Sequence, residues 1–334
     1  MNPNFSIIIA KQVENIISAN HDKIYELIKE AYISHHNKEI VNPPSYFLKY
    51  NDRPNSRIIA LPASITHNPR IAGIKWIASN PENISIGLNR ASAVIILNDY
   101  DTGYPIACIE GSLISAIRTA YSAVLAADNL IKPKKVNTLG IIGTGRIAYN
   151  IVKCLYLQKW DIDNIILYDT QEDYSKKFIS LLNKNNIKLS DKVSIENKKE
   201  NLVNKSDLLI LTTTAKEPYI NDSYEIKVNA IILNISLRDL DPEILIQSNN
   251  VVDDIEHIMH ANTSPHLAQQ KYGNTDFING TIGHLITSNI VLDSKKPTIV
   301  SPMGLGILDI TLANFIYIQS EKNQQSIPIN NFFG

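Results

Sequence analysis

The feature that most constrains this chain lies mid-sequence. An apolar, β-branched run, Val136–Ile142, leads directly into Gly143-Thr144-Gly145-Arg146-Ile147-Ala148, and an alternately apolar stretch continues to about Leu157. A second strand-like run, Ile165–Tyr168, ends at Asp169. Strand, glycine turn, helix and strand within about 30 residues make one βαβ unit, whose two strands must be parallel. Further runs at Leu208–Thr212, Ala230–Ile235 and Val251–Val252, separated by polar or helical segments, extend the alternation. The fold class expected is α/β, a Rossmann-type doubly wound parallel sheet that starts near residue 130.

The glycine turn carries chemistry as well as topology. Glycines let the backbone turn sharply and come close to a pyrophosphate, and the free N–H groups at a helix start bind that anion. Gly143, Thr144, Gly145, Arg146 and Ile147 are therefore candidate cofactor contacts, with Ala148 as the third small position. Asp169 stands 26 residues past Gly143, where a carboxylate accepts the ribose hydroxyls and repels a 2′-phosphate. No Arg or Lys follows at once (Thr170-Gln-Glu), so NAD is favoured over NADP. The plainer alternative is an ordinary glycine turn with a solvated Asp at a strand end. Thr213, within Thr212-Thr-Thr214, is either a nicotinamide-side contact or turn chemistry.

The 128 residues before this unit read differently. A helix is expected near Asp22–His35, then short strands at Arg57–Leu61, Ile71–Ile77 and Ser92–Leu97. Asn98–Pro105 reads as a turn with a proline stop, followed by an Ala-rich helix over about Ser112–Asp128. An amphipathic stretch, Ile307–Gln319, is expected to return to this first part. Residues 1–128 plus 305–334 would then form an α+β substrate-binding and dimerisation domain around a Rossmann insert, 129–304.

Composition narrows the class. A length of 334 residues suits two domains, and 44% hydrophobic against 19% charged residues excludes a disordered chain. Lys plus Arg (32) nearly cancels Asp plus Glu (33), without the basic excess of a nucleic-acid binder. No apolar run reaches the roughly 18 residues that would span a bilayer. The start, Met1-Asn-Pro-Asn-Phe-Ser-Ile-Ile-Ile-Ala-Lys, lacks a basic leader region. Cys108 and Cys154 show no paired spacing, which suits a reducing cytoplasm rather than disulfides or structural zinc. His257, His260, His266 and His284 lack a compact ligand pattern, so no metal is expected.

Three cations sit in otherwise apolar segments: Arg57 in Arg57-Ile-Ile-Ala-Leu-Pro, Lys75 in Gly73-Ile-Lys-Trp-Ile, and Arg118 in Ser115-Ala-Ile-Arg-Thr-Ala. A cation on an apolar element needs an anion or acceptor to offset desolvation, so each is a ligand for an acidic substrate, a snorkelling side chain, or half of a local ion pair. Asp239 lies just past a strand's carboxyl end, as a catalytic acid/base or a loop cap.

The motifs Asp101-Thr-Gly-Tyr-Pro, Ser112-Leu-Ile-Ser-Ala-Ile-Arg-Thr-Ala120 and Ile141-Ile-Gly-Thr-Gly145 resemble the ornithine cyclodeaminase/μ-crystallin family, from about residue 20 to 320. Arg57–Pro62, Gly73–Ile77, Arg90–Asp99 and Ser301-Pro-Met-Gly304 are most similar to its branch of 2,3-diaminopropionate biosynthesis dehydrogenases. The resemblance implies NAD-dependent oxidation of N-(1-amino-1-carboxy-2-ethyl)-glutamate, with imine hydrolysis to 2,3-diaminopropionate and 2-oxoglutarate. It implies Arg57, Lys75 and Arg118 as carboxylate binders, Arg118 also beside the cofactor. Asp239 is implied as acid/base with Lys75 in the catalytic set, and Gly143, Gly145, Asp169 and Thr213 as NAD contacts. It further implies a homodimer formed by the first domain, with no nucleic acid or membrane partner. A phosphoserine-dependent synthase would supply the substrate in a siderophore or antibiotic pathway. The alternatives are a cyclodeaminase converting ornithine to proline and ammonia, another amino-acid dehydrogenase or imine reductase, and a non-catalytic binder. Two departures count against the cyclodeaminase: Asp239-Leu-Asp-Pro-Glu243 lacks its Pro-Gly-Lys, and Pro302 replaces its serine.

Overall fold

A computed structural model describes residues 4–67 and 69–334; the first three residues of the leader reading and Asn68 lie outside the described part. The chain divides into two compact units, Met1–Arg118 with Gly304–Gly334, and Thr119–Met303. The first division lies at Arg118 rather than at 128, inside the helix Gly111–Leu130. The end of that apolar run marks where an element stops. A helix closes its hydrogen bonds internally and can pass through a boundary between units.

The first unit is built on a sheet in the order Ile327–Pro328, Ser6–Ile8, Pro105–Glu110, Ala91–Asp99, Ile71–Ser79, Arg57–Ile65 and Ile40–Val41, with Tyr46–Lys49 also on Arg57–Ile65. The three expected strands are present and longer than the sequence indicated. Pro105 does not stop the chain but opens the strand Pro105–Glu110, a position where its missing N–H costs no ladder bond. One sheet face carries Leu61, Lys75, Ile95 and Ile109 in successive strands and is buried. The helix Gly306–Lys322 packs on the strands Arg57–Ile65, Ile71–Ser79 and Ala91–Asp99 and against the helix His21–His36. Its Gly306 lies close over Leu61 and Pro62, where a Cβ would sit 3.0 Å from both carbonyls.

The second unit holds a wholly parallel sheet in the order Val193–Ile195, Asp161–Tyr168, Lys135–Ile142, Leu208–Leu211, Ile231–Asn234, Thr298–Ser301, Asn249–Val252 and Gly280–Thr281. Leu208–Leu211, Ile231–Asn234 and Thr298–Ser301 are buried throughout, as strands covered on both faces must be. Numbered within the unit the order is 3-2-1-4-5-8-6-7, so strand order reverses direction between Lys135–Ile142 and Leu208–Leu211. Ligands bind doubly wound sheets at such a switch point, outside the carboxyl ends of the strands.

Candidate active site

Two constellations emerge, one in each unit. In the second unit the turn after Ile142 is held from both neighbouring strands. The Gly143 N–H donates to the Tyr168 carbonyl at 2.9 Å, and the Thr212 hydroxyl donates to the Gly143 carbonyl at 2.6 Å. Gly143 has φ +87°, and a Cβ there would lie 2.8 Å from the Thr212 carbonyl oxygen. The fold therefore demands a glycine at 143.

Gly145 is different. Its backbone (φ −78°, ψ −170°) is open to any residue, and a Cβ would meet nothing within 4 Å. Nothing inside the chain requires glycine at this exposed position, whereas close approach of an outside group would. Gly145 also opens the helix Arg146–Leu157 with no side-chain cap, so the first N–H groups, including those of Arg146 and Ile147, have no intrahelical acceptor. Such a helix start favours an anion. Asp169 accepts the Thr144 N–H at 2.8 Å and the Thr144 hydroxyl at 3.0 Å through one oxygen. Its half-buried carboxylate thereby stands beside the turn, at the end of the neighbouring strand. These residues fit a dinucleotide.

Thr213 and Asp239 follow the carboxyl ends of the next two strands, and the structure brings them together. Asp239 is fully buried. Its Oδ1 accepts the Thr213 hydroxyl at 2.7 Å, while its Oδ2 accepts the hydroxyls of Ser236 and, at 3.3 Å, Tyr219. Its backbone carbonyl holds the Tyr219 and Ile220 N–H groups, which fixes the loop. Burial raises the Asp239 pKa, and the bonds from Ser236, Thr213 and Tyr219 pull the other way. Burial, with the Asp239 charge behind it, pushes the Tyr219 phenol up, so it remains a donor. The sequence reading missed Tyr219 and Ser236. Neither carries a local signal, and chain folding alone brings Tyr219 to the carboxylate.

In the first unit, Lys75 and Arg118 converge on one acid. The Lys75 Nζ donates to Asp309 Oδ2 at 2.6 Å and to the Ser115 hydroxyl at 3.2 Å; the Arg118 Nε donates to Asp309 Oδ1 at 3.2 Å. All three charged groups are buried. Desolvation, then the neighbouring Arg118 charge, lowers the Lys75 pKa to about 8, against the pull of Asp309. Gly304, at φ +101°, lies against the Arg118 guanidinium; a Cβ there would overlap it. Asp309 was also missed, although a signal existed: it is a lone carboxylate in the apolar run Gly306-Ile-Leu-Asp-Ile-Thr-Leu. Arg57 belongs to the same sheet face. Lys75 pairs with Leu61, and Arg57 lies four residues along that strand from Leu61, a backbone rise of about 13 Å at ~3.3 Å per residue.

His257, His266 and His284 sit in the first turns of their helices. The Asp254 carboxylate caps the His257 N–H, Thr263 caps His266, and Thr281 pairs with His284.

Residues 6–324 match the model of the ornithine cyclodeaminase/mu-crystallin family. The chain belongs to that family. Among curated relatives, the Staphylococcus aureus N-((2S)-2-amino-2-carboxyethyl)-L-glutamate dehydrogenase is 33% identical over 320 residues, 93% of this chain and 94% of that one. An archaeal alanine dehydrogenase, solved as a dimer with bound NAD, is 26% identical and superposes with a TM-score of 0.86 over 98% of this chain and 100% of that one. A Thermococcus litoralis Delta(1)-pyrroline-2-carboxylate reductase, solved with NADH and L-proline, shares the fold at 23% identity, with a TM-score of 0.87 over 98% and 100% of the two chains.

Proposed function

We propose that this chain is an NAD-dependent dehydrogenase that oxidises the secondary amine of N-((2S)-2-amino-2-carboxyethyl)-L-glutamate, the imine then hydrolysing to 2,3-diaminopropionate and 2-oxoglutarate. One observation carries the chemistry: Asp239 is a buried carboxylate surrounded by hydroxyl donors at the carboxyl edge of the Rossmann sheet. Such a group accepts a proton without a permanent cation to hold its charge. The 33% identity to the S. aureus enzyme supports the substrate.

NAD, when bound, supplies the hydride acceptor. In the second unit Gly143, Gly145 and the start of the helix Arg146–Leu157 receive the pyrophosphate, with Thr144 in the same turn, and Asp169 receives the ribose hydroxyls. Thr213, already bonded to Asp239, serves the nicotinamide side. Asp239 takes the amine proton as the glutamyl Cα–H bond breaks, and later orients the water that attacks the imine carbon. Collapse of that adduct breaks the C–N bond and frees both products. In the first unit Lys75 and Arg118, oriented by Asp309, bind carboxylate, Lys75 as a point charge and Arg118 as a planar fork. Arg57 adds a third cation further along its strand. Unit 1 is thus the substrate-binding and dimerisation domain and unit 2 the NAD domain.

A homodimer is supported by the uncovered sheet face of unit 1. The row Tyr46–Ala60–Trp76–Val94 crosses four strands there, and all but Ala60 are exposed. The cytoplasm is the proposed compartment, supported by two cysteines that stand unpaired. The substrate would come from a phosphoserine-dependent synthase and the diaminopropionate would pass to siderophore or peptide-antibiotic assembly.

Net NADH separates this reading from a cyclodeaminase, in which NAD is regenerated each cycle. With NAD, absorbance at 340 nm should rise with the glutamate–diaminopropionate conjugate and stay flat with ornithine. A rise with ornithine or alanine, and none with the conjugate, would contradict it.

A further inference from the structure

Asp239 takes one of its side-chain hydrogen bonds from Tyr219, and Tyr219 carries a cation on its ring. Tyr219 is half-buried and packs against the core of the second unit, which includes Leu202, Val203 and Ile220. Its hydroxyl donates to Asp239 Oδ2 at 3.3 Å and its backbone N–H to the Asp239 carbonyl at 3.1 Å, so it is tied to Asp239 at both ends. The Lys199 ammonium lies 4.5 Å from the centroid of the Tyr219 ring. Lys199 opens the helix Lys199–Lys205, is itself half-buried, and forms no ion pair among the described residues; Lys205 in the same helix pairs with Glu196. A cation is drawn to a ring face because the ring's quadrupole is negative there. The same charge draws electron density from the phenol oxygen and makes its O–H a stronger donor. A carboxylate gains from a stronger donor only while it is ionised.

We propose that Lys199 is a positioning residue for the acid/base step, acting through the Tyr219 ring to hold Asp239 as the anion that takes the amine proton. Its contact with the ring fixes the direction of the phenol, and its charge strengthens the phenol's bond to Oδ2. The other groups around this pair have partners of their own. Ser236 and Thr213 give Asp239 neutral donors. The Tyr224 hydroxyl donates to Glu200 at 3.1 Å. Arg238, next to Asp239 in the chain, spends its guanidinium on the carbonyls of Ala261 at 2.9 Å and Lys216 at 3.4 Å. Lys199 is the cation that the structure places on the Asp239 network. This inference rests on the dehydrogenase reading above for the step that Asp239 performs.

The test follows the acid limb of kcat/KM against pH in the full-length chain, with NAD and the glutamate–diaminopropionate conjugate. Wild type is compared with Lys199→Met, Lys199→Arg, Tyr219→Phe and the Lys199→Met/Tyr219→Phe double variant. Lys199→Met keeps an apolar contact with the ring but not the charge, and should move the limb up by about half a pH unit, the size of an exposed cation–π contact. Lys199→Arg, whose guanidinium also stacks on aromatic faces, should return the limb most of the way to wild type. In the Tyr219→Phe background, Lys199→Met should move the limb no further. An unmoved limb in Lys199→Met, an equal shift in the Tyr219→Phe background, or a lower thermal midpoint with no shift would overturn the inference. If wild type forms no NADH with the conjugate, the dehydrogenase reading fails on its own. The ionisation of Asp239 is then read without substrate, by NMR of isotope-labelled aspartate carboxyl carbons assigned with Asp239→Asn. An upward shift in Lys199→Met that vanishes in the Tyr219→Phe background sustains the role of Lys199, and an unchanged titration removes it.

Discussion

At the scale of single residues the account turns on how two buried groups are held. Asp239 must be ionised to take a proton, and burial sets its folded-state pKa above the usual carboxylate range. The acid limb of the kcat/KM–pH profile should therefore lie above that range. Tyr219→Phe removes a hydrogen bond that favours the ionised form, so the limb should move to still higher pH; an unmoved limb would detach Tyr219 from Asp239. Asp239→Asn should lower kcat by about 10²-fold or more while NAD binds normally, judged by turnover beside a fluorescence titration. Because the raised pKa favours the protonated form in the folded state, ionised Asp239 subtracts stability as pH rises from its unfolded to its folded value. The Asn variant should therefore be no less stable than wild type at neutral pH. Lys75 works in the other direction. Its pKa, lowered to about 8, means that carboxylate binding weakens as pH rises through that value, which gives KM an alkaline limb. Lys75 and Arg118 stand out in the sequence as charges among apolar neighbours, and Asp239 by its place just past a strand's carboxyl end. Asp309 carries the same mark in Gly306-Ile-Leu-Asp-Ile-Thr-Leu, where the amphipathic pattern of the helix masks it. Tyr219 and Ser236 were not legible, since hydroxyl residues in loops show no pattern until folding brings them to a carboxylate.

At the scale of elements, the strand–turn–helix unit was the most legible part, for a mechanical reason: each of its two glycines is constrained, but by different things. Gly143→Ala places a Cβ against the Thr212 carbonyl at positive φ and should destabilise the second unit by about 1–3 kcal/mol in chemical denaturation. Gly145→Val fits the local backbone and should leave the melting temperature nearly unchanged while weakening NAD by about tenfold or more. If both variants lose stability alike, the turn serves the fold alone. Strand ends were less legible. Arg57–Ile65 and Ile71–Ser79 run past the apolar cores that announced them, because antiparallel pairing continues through polar positions as long as the ladder is satisfied. Pro105 signals a stop in the sequence for the same reason that makes it a good strand opener: it lacks a donor that the first strand position does not use.

At the scale of the whole molecule, alternation of strands and helices indicated a Rossmann insert, and the solved relatives share that fold. Which sheet face stays uncovered was not legible, because Trp76 and Val94 look like core residues in a linear reading. Replacing both with glutamate on the exposed face should turn the proposed dimer into a monomer by light scattering, and an unchanged mass would place the interface elsewhere. Turnover by the proposed dehydrogenase hinges on one event: the hydrogen at the glutamyl Cα leaves as hydride and is not returned. Supplying the conjugate deuterated at that carbon, with NAD, tests it most directly. Each reduced cofactor molecule should carry one deuterium, with one 2-oxoglutarate formed per reduced cofactor. Reduced cofactor without deuterium, or deuterium returned to an amino-acid product with no net reduction, would contradict it.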